Sequence, residues 1–255
     1  MRLNRRCLLT LPLLAALPAR AKPVMAAQPL SRADLPWWRD RHQAKLLELR
    51  QKQPALIFLG DSITQQWEQA GPPAWLDYAP AWKRFYGDRN AVNLGYKGDA
   101  TSHLLWRVQN GEAAGIHPKL AVVLIGANNM GRLRWPAEDT VAGIEAILNE
   151  LKRRLPATKI LLLGVLPSER GDWVQATTQT INTALAARYH GSLGITFLDV
   201  GHVFMRNGHV NRDLFSDPKM NPPEPTLHPS AQGQIRLSEA IEPTLAALLG
   251  DRPHK

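Results

Sequence analysis

Five short runs rich in Leu, Ile, Val and Ala recur along the chain, at 55–59, 91–94, 120–125, 159–163 and 195–198. They are mostly apolar throughout rather than alternating, as expected of strands buried on both faces of a parallel sheet. Between them the apolar positions repeat with helical spacing, at 81–86, 101–110, 137–154 and 173–189, with a last helix over 230–249. A helix is also predicted ahead of the first strand, over 34–53: Asp34 can cap it, Pro36 suits its first turn, and Trp38, Leu46, Leu47 and Leu49 supply an apolar stripe before Pro54 stops it. Alternation of this kind predicts a parallel sheet covered on both faces by helices. No internal repeat, low-complexity tract or second-domain linker interrupts it.

Polar residues gather where the strands end. The run LIFLGDSITQQW (56–67) stops on Gly60-Asp61-Ser62, NLGYKGDATSHLLWRVQNGE (93–112) follows the second strand with Gly98, and VVLIGANN (122–129) closes the third with Asn128 and Asn129. The carboxyl ends of parallel strands are where open α/β sheets bind their ligands, so three segments converge on one rim. His228, in TLHPSAQG (226–233), sits just before the final helix and can reach that rim. A serine hydroxyl needs a base within hydrogen-bond reach to act as a nucleophile, and Ser62 with His228 is the candidate pair. Taken singly, Ser62 reads as a helix cap, Gly98-Asp99 as a turn and Asn128-Asn129 as a polar loop.

These four blocks, in this order, resemble the SGNH hydrolases, also called GDSL-type esterases and acylhydrolases. The middle block is most similar to the catalytic subunits of the intracellular platelet-activating-factor acetylhydrolases. The resemblance runs from about residue 56 to 249. It implies a three-layer αβα sandwich with a flavodoxin-like, five-stranded parallel sheet, Ser62 as nucleophile and His228 as base. It also implies an oxyanion hole built from the backbone N–H groups of Ser62 and Gly98 and the side-chain amide of Asn128. The family places an aspartate three residues before its histidine, where this chain has Pro225. Glu224, nearest that position, is the preferred substitute; Asp217, across a Pro-rich stretch, is the second candidate, and a Ser-His dyad oriented by a backbone carbonyl is the third reading.

Composition narrows the rest. Arg2, Arg5 and Arg6, the apolar stretch from Cys7 to Leu17, and small-residue sites at 19–21 or 25–27 read as an export signal over 1–27, with a twin-arginine flavour at Arg5-Arg6. Residues 28–255 then form one domain, expected in the periplasm or secreted. That leader holds five basic and no acidic residues, so the net charge falls from +9 to +4 without it, giving little support for nucleic-acid binding. The only cysteine, Cys7, leaves with it. No run of 18 apolar residues is present, so no stable membrane insertion is expected after signal removal. The absence of GxSxG, HExxH, Walker and GxGxxG patterns leaves neither an α/β-hydrolase elbow nor a case for a metal or cofactor. His103, His117, His190, His202 and His209 read as solvated or structural, and Trp67, Trp75, Trp82, Trp106 and Trp135 as packing residues, with Trp67 and Trp135 nearest the rim.

The function expected is an exported serine esterase acting on small acyl esters, O-acetyl groups above all, with a small-molecule or glycan ester as partner and no cofactor. An acyltransferase on an envelope polysaccharide and a non-catalytic carbohydrate-binding protein are the two competing readings. The oligomeric state is not readable.

Overall fold

The computed structural model describes residues 23–254. Its centre is a sheet of five parallel strands, β1 (Leu56–Gly60), β2 (Ala91–Gly95), β3 (Leu120–Leu124), β4 (Lys159–Leu163) and β5 (Ile195–Leu198), in the order β2-β1-β3-β4-β5. This is the flavodoxin-like order, in which the chain reverses direction across the sheet beside β1. All five residues of β1 and of β3 are buried. The strands match the expected ones to within a residue.

Successive side chains of a strand point to opposite faces, and each face buries its own core. Ile57 and Leu59 pack with Leu94, Val123 and Leu162 beneath α1 (Pro36–Lys52), α4 (Thr101–Arg107), α6 (Ala137–Arg154) and α7 (Asp172–Tyr189). Leu56 and Phe58 pack with Val122 and Leu161 beneath α2 (Ser62–Gln65), α3 (Ala79–Tyr86) and α8 (Ala231–Leu249). Trp67 belongs to this second core, where its ring meets Trp82 and Tyr86 at 5.8 and 5.5 Å. The remaining short helix, α5 (Ala127–Gly131), follows β3 at the rim, and a two-stranded hairpin, β6 (Met205–Arg206) with β7 (His209–Val210), lies outside the expected pattern.

Two expectations are corrected. The helix expected over 101–110 ends at Arg107, and a wider π-type turn, Val108–Glu112, follows it. That turn brings the Glu112 carboxylate back against the Arg107 guanidinium, with both side chains fully buried. The first helix begins at Pro36 on Leu35, with no cap from Asp34.

Residues 1–22 of the expected leader lie outside the described residues. Met25–Ala27, also inside it, forms a 3-10 turn; Ala26 is fully buried, and its carbonyl accepts a hydrogen bond from Thr101 Oγ1 at 2.8 Å. Gly143 on α6 comes so close that a Cβ there would lie 2.5 Å from the same carbonyl oxygen.

Arg107 is the most connected buried charge at the rim. Its guanidinium donates to the carbonyls of Gly60 (3.0 Å) and Leu94 (3.1 Å), to Asp99 Oδ2 (2.9 Å) and to Glu112, and its Cζ lies 3.8 Å from the Tyr96 ring centroid. Removing one partner of such a buried ionic network leaves unpaired buried charge and costs about 3–5 kcal/mol. Arg107→Met is therefore expected to lower the unfolding free energy by about 3–5 kcal/mol in urea melts; a loss below about 1 kcal/mol, the level of an exposed ion pair, contradicts the assignment.

Candidate active site at the carboxyl rim of the sheet

Gly60 ends β1 with no room for a side chain: a Cβ there would lie 2.1 Å from Thr64 Oγ1 and 2.4 Å from the Leu124 carbonyl oxygen. The missing side chain lets α2 turn back directly over the strand end. Asp61 caps that helix, Oδ1 accepting from Ile63 N at 2.9 Å. Burial pushes the Asp61 carboxyl up to about 6, partly offset by the Ile63 N–H and the nearby His228. Because Asp61 does the capping, the Ser62 hydroxyl is available, and its Oγ lies 2.9 Å from His228 Nε2.

The imidazole is held from behind. His228 Nδ1 is 2.6 Å from Asp217 Oδ1, and Asp217 Oδ2 accepts from the backbone N–H groups of Leu227 (2.8 Å) and His228 (2.6 Å). Burial alone would raise the Asp217 carboxyl, but these hydrogen bonds and the facing imidazole hold it below the usual value. An ionised Asp217 accepts the Nδ1 proton, which leaves Nε2 as the acceptor for the serine hydroxyl. The arrangement is thus able to draw a proton from Ser62.

Asp217 reaches His228 through pairing of the chain, not through nearness in sequence. Ser216 N donates to the His228 carbonyl at 2.8 Å and Ser230 N to the Leu214 carbonyl at 2.8 Å, with an antiparallel bridge between Phe215 and Pro229. These bonds close a bracket whose loop, 218–227, carries the Pro-rich stretch. Gln234 Nε2 donates to the Ile63 carbonyl at 2.9 Å and Tyr78 Oη to the Pro229 carbonyl at 3.0 Å, tying the bracket to the Ser62 turn. The preference for Glu224 is corrected: it is exposed on that loop, makes no side-chain hydrogen bond among the described residues, and only its backbone N–H touches Asp217, at the carbonyl.

The expected oxyanion groups also meet here. Ser62 is the first residue of α2, so its N–H has no intrahelical acceptor. Gly98 takes φ +78°, a conformation that favours glycine, and its N–H donates to no group among the described residues. Asn128 Nδ2 donates one hydrogen to the Asp99 carbonyl at 2.9 Å, leaving the other for a ligand. Asn129 is committed elsewhere, bridging to Thr101 N and Thr101 Oγ1 at 3.0 and 2.7 Å. Ser62, Gly98, Asn128, Asp217 and His228 line one cleft of about 270 Å³.

The sequence suggests only a turn at Gly98-Asp99, yet Asp99 is fully buried and accepts from Arg107 Nε, Trp38 Nε1 and Arg32 Nη1, each at 2.9 Å. Arg132 and Arg170, which line the same cleft, carried no sequence signal. His103 is structural, its Nδ1 accepting from Ala100 N at 2.9 Å at the start of α4. Among the described residues no group of three His, Cys, Asp or Glu is placed to hold a metal, and no helix is long and apolar enough to cross a membrane.

Residues 58–235 match the GDSL-like lipase/acylhydrolase family. The chain is 30% identical over 214 residues to platelet-activating factor acetylhydrolase IB subunit alpha1 of Bos taurus (83% of this chain, 84% of that one). It is 28% identical over 221 residues to subunit alpha2 of Rattus norvegicus (86% and 87%). Among solved structures, a carbohydrate acetylesterase family member from Sinorhizobium meliloti shares the fold, with a TM-score of 0.57, 17% identity, and coverage of 76% of this chain and 98% of that one.

The depressed Asp217 pKa predicts a pH signature. A carboxyl with a lowered folded-state pKa contributes stability above its unfolded value of 3.8, lost as pH falls through the folded value. The difference in melting temperature between the wild type and Asp217→Asn should persist from neutral pH to about 4 and shrink below it; a difference that grows below pH 4 contradicts the assignment.

Proposed function

Because the chain belongs to the GDSL-like lipase/acylhydrolase family and is a carboxylic-ester hydrolase, we propose that it is an exported serine esterase that removes small acyl groups, O-acetyl above all, through Ser62, His228 and Asp217. The observation that carries this reading is the continuous chain of contacts from Ser62 Oγ through His228 to Asp217, at 2.9 and 2.6 Å.

His228 Nε2 accepts the Ser62 proton as Oγ attacks the acyl carbonyl. The resulting oxyanion is taken by the N–H groups of Ser62 and Gly98 and the second N–H of Asn128. His228 returns the proton to the departing alkoxide oxygen. Water then attacks the acyl-enzyme, gives its proton to His228, and releases the carboxylic acid as the Ser62 hydroxyl re-forms. Asp217 stays ionised and steadies the imidazolium at each transfer.

The restricted cleft supports a short acyl chain, as do relatives named as acetylhydrolases and the likeness to a carbohydrate acetylesterase. A glycan ester outside the cytoplasm, in the periplasm or beyond, fits the leader reading. The buried turn at Met25–Ala27 favours cleavage after Ala21, which keeps that contact, over cleavage after Ala27, which removes it.

Hydrolysis of p-nitrophenyl acetate tests the mechanism. Ser62→Ala and His228→Ala should lose turnover, Asp217→Asn should lose up to about 10⁴-fold, and Asn128→Ala should lose on the order of 100-fold in kcat. Glu224→Gln should stay within threefold of wild type, roughly the spread of a side chain outside the transition state. Wild-type turnover in folded Ser62→Ala would remove the proposal. N-terminal sequencing of exported protein should begin at Lys22; a start at Gln28 overturns the cleavage site, and material retained with Met1 overturns export.

A further inference from the structure

The Ser62 cleft holds three cations that form no ion pair among the described residues. Lys97, Arg132 and Arg170 line it beside the reacting groups. Arg132 leans over Gly98 so closely that a Cβ there would lie 2.7 Å from its Nη1, and Arg170 covers Gly131, with a Cβ there 2.0 Å from its Cζ. Arg170 makes one side-chain hydrogen bond, from Nη1 to the Ala127 carbonyl at 3.2 Å. The side chains of Arg132 and Lys97 make no hydrogen bond or ion pair among the described residues, and none of the three cations lies within 4.0 Å of a carboxylate.

Arg132 and Lys97 are exposed at the cleft and Arg170 is half-buried, whereas the well-buried guanidiniums Arg89 and Arg107 are paired with carboxylates. Arg89 is gripped by Glu242 at 2.7 and 2.8 Å and by Asp251 at 2.9 and 3.0 Å, and Arg107 by Asp99 and Glu112. Arg170 is half-buried, and burial lowers its pKa while Arg132 lowers it further, against the pull of Asp61 and Asp217. The acids nearby are engaged elsewhere or lie beyond 4.0 Å of the cations. Asp217 is bound to His228, Asp61 caps Ile63, and Glu224, an exposed residue of the cleft wall, makes no ion pair with any of the three cations. Arg132 and Arg170 repel one another at the cleft, and an anionic ligand there relieves that repulsion. The guanidinium fork is matched to the paired oxygens of a carboxylate or phosphate.

We propose that the esters taken by this site are anionic: a carboxylate or phosphate on the acylated substrate docks against Arg132, Arg170 and Lys97 while its acyl carbonyl faces Ser62. This rests on the esterase reading of Ser62 and sharpens it to a substrate class, such as an acylated acidic glycan or a phosphate-bearing ester.

Three acetyl esters that differ in charge test it: 4-acetoxybenzoate, 4-acetoxyphenyl phosphate and the neutral 4-acetoxybenzamide. The wild type should favour at least one anion over the amide in kcat/KM by roughly tenfold or more, the scale of one charge-assisted hydrogen bond, and the better anion names the headgroup chemistry. Arg132→Gln and Arg170→Gln should each reduce that preference several-fold, chiefly through KM. Lys97→Gln should reduce it less, and Glu224→Gln should increase it. Equal rates on all three esters in the wild type overturn the inference, and so does an Arg132→Gln loss shared equally by the neutral ester, which would assign the guanidinium to the oxyanion or to folding.

Binding separates the two readings. Calorimetry of 4-acetoxybenzoate and 4-acetoxybenzamide with Ser62→Ala, and with Ser62→Ala carrying Arg132→Gln, needs no turnover. Tighter binding of the anion that the second substitution abolishes supports the cationic site even if no ester is hydrolysed. Equal binding of acid and amide overturns it even if Ser62 proves to be the nucleophile.

Discussion

The rim depends on one buried guanidinium. Arg107 joins the last carbonyl of β1, the carbonyl of Leu94 in β2, and the carboxylates of Asp99 and Glu112. Gly60 immediately precedes Asp61 and Ser62, and Asp99 immediately follows Gly98, so the same cation positions the backbone beside both the serine and the glycine. Asp99 extends the chain of contacts through its carbonyl to Asn128 and through Oδ1 to Trp38 and Arg32. Three loops from three strands are thereby fixed relative to one another by hydrogen bonds and ion pairs. The charges are buried, so their mutual attraction is little screened by solvent, and the cost of desolvating them is offset by the completeness of the hydrogen bonding.

A second device acts on the far side of the cleft. The antiparallel pairing of Leu214 and Ser216 with Ser230 and His228 sets the acid beside the base, and Gln234 and Tyr78 fasten that pair of segments to the serine turn. In the proposed mechanism, proton transfer between Ser62 and His228, with Asp217 holding the imidazole, therefore depends on backbone geometry as much as on the side chains themselves.

Much of this was legible along the chain. Strands buried on both faces announce themselves as apolar runs, so β1 to β5 and the polar residues at their ends were located to within a residue. Ser62, Gly98, Asn128 and His228 were singled out by the family resemblance of their blocks, each of which stands at an element boundary. Asp217 was less legible than Glu224 because closeness in sequence was weighed where the deciding fact was cross-strand pairing. Arg107 escaped notice because a charged residue within an amphipathic helix ordinarily faces water. The π-type turn, which carries Glu112 back to it, and the buried carboxylate of Asp99 together make an inward-facing arginine tolerable. The Asp61 cap was hidden for a related reason: Asp and Ser are equally good caps, and the choice between them depends on where His228 lies.

The bracket that brings Asp217 to His228 has a further consequence. Its hydrogen bonds close behind residue 217 and in front of residue 228, so the intervening loop can change length and composition while the acid and base stay in register. That loop also presents Glu224, Pro225 and Leu227 as a wall of the cleft. The architecture therefore separates a fixed acid-base pair from a variable wall, so that under the proposed mechanism ester preference can change within the loop without disturbing His228 and Asp217.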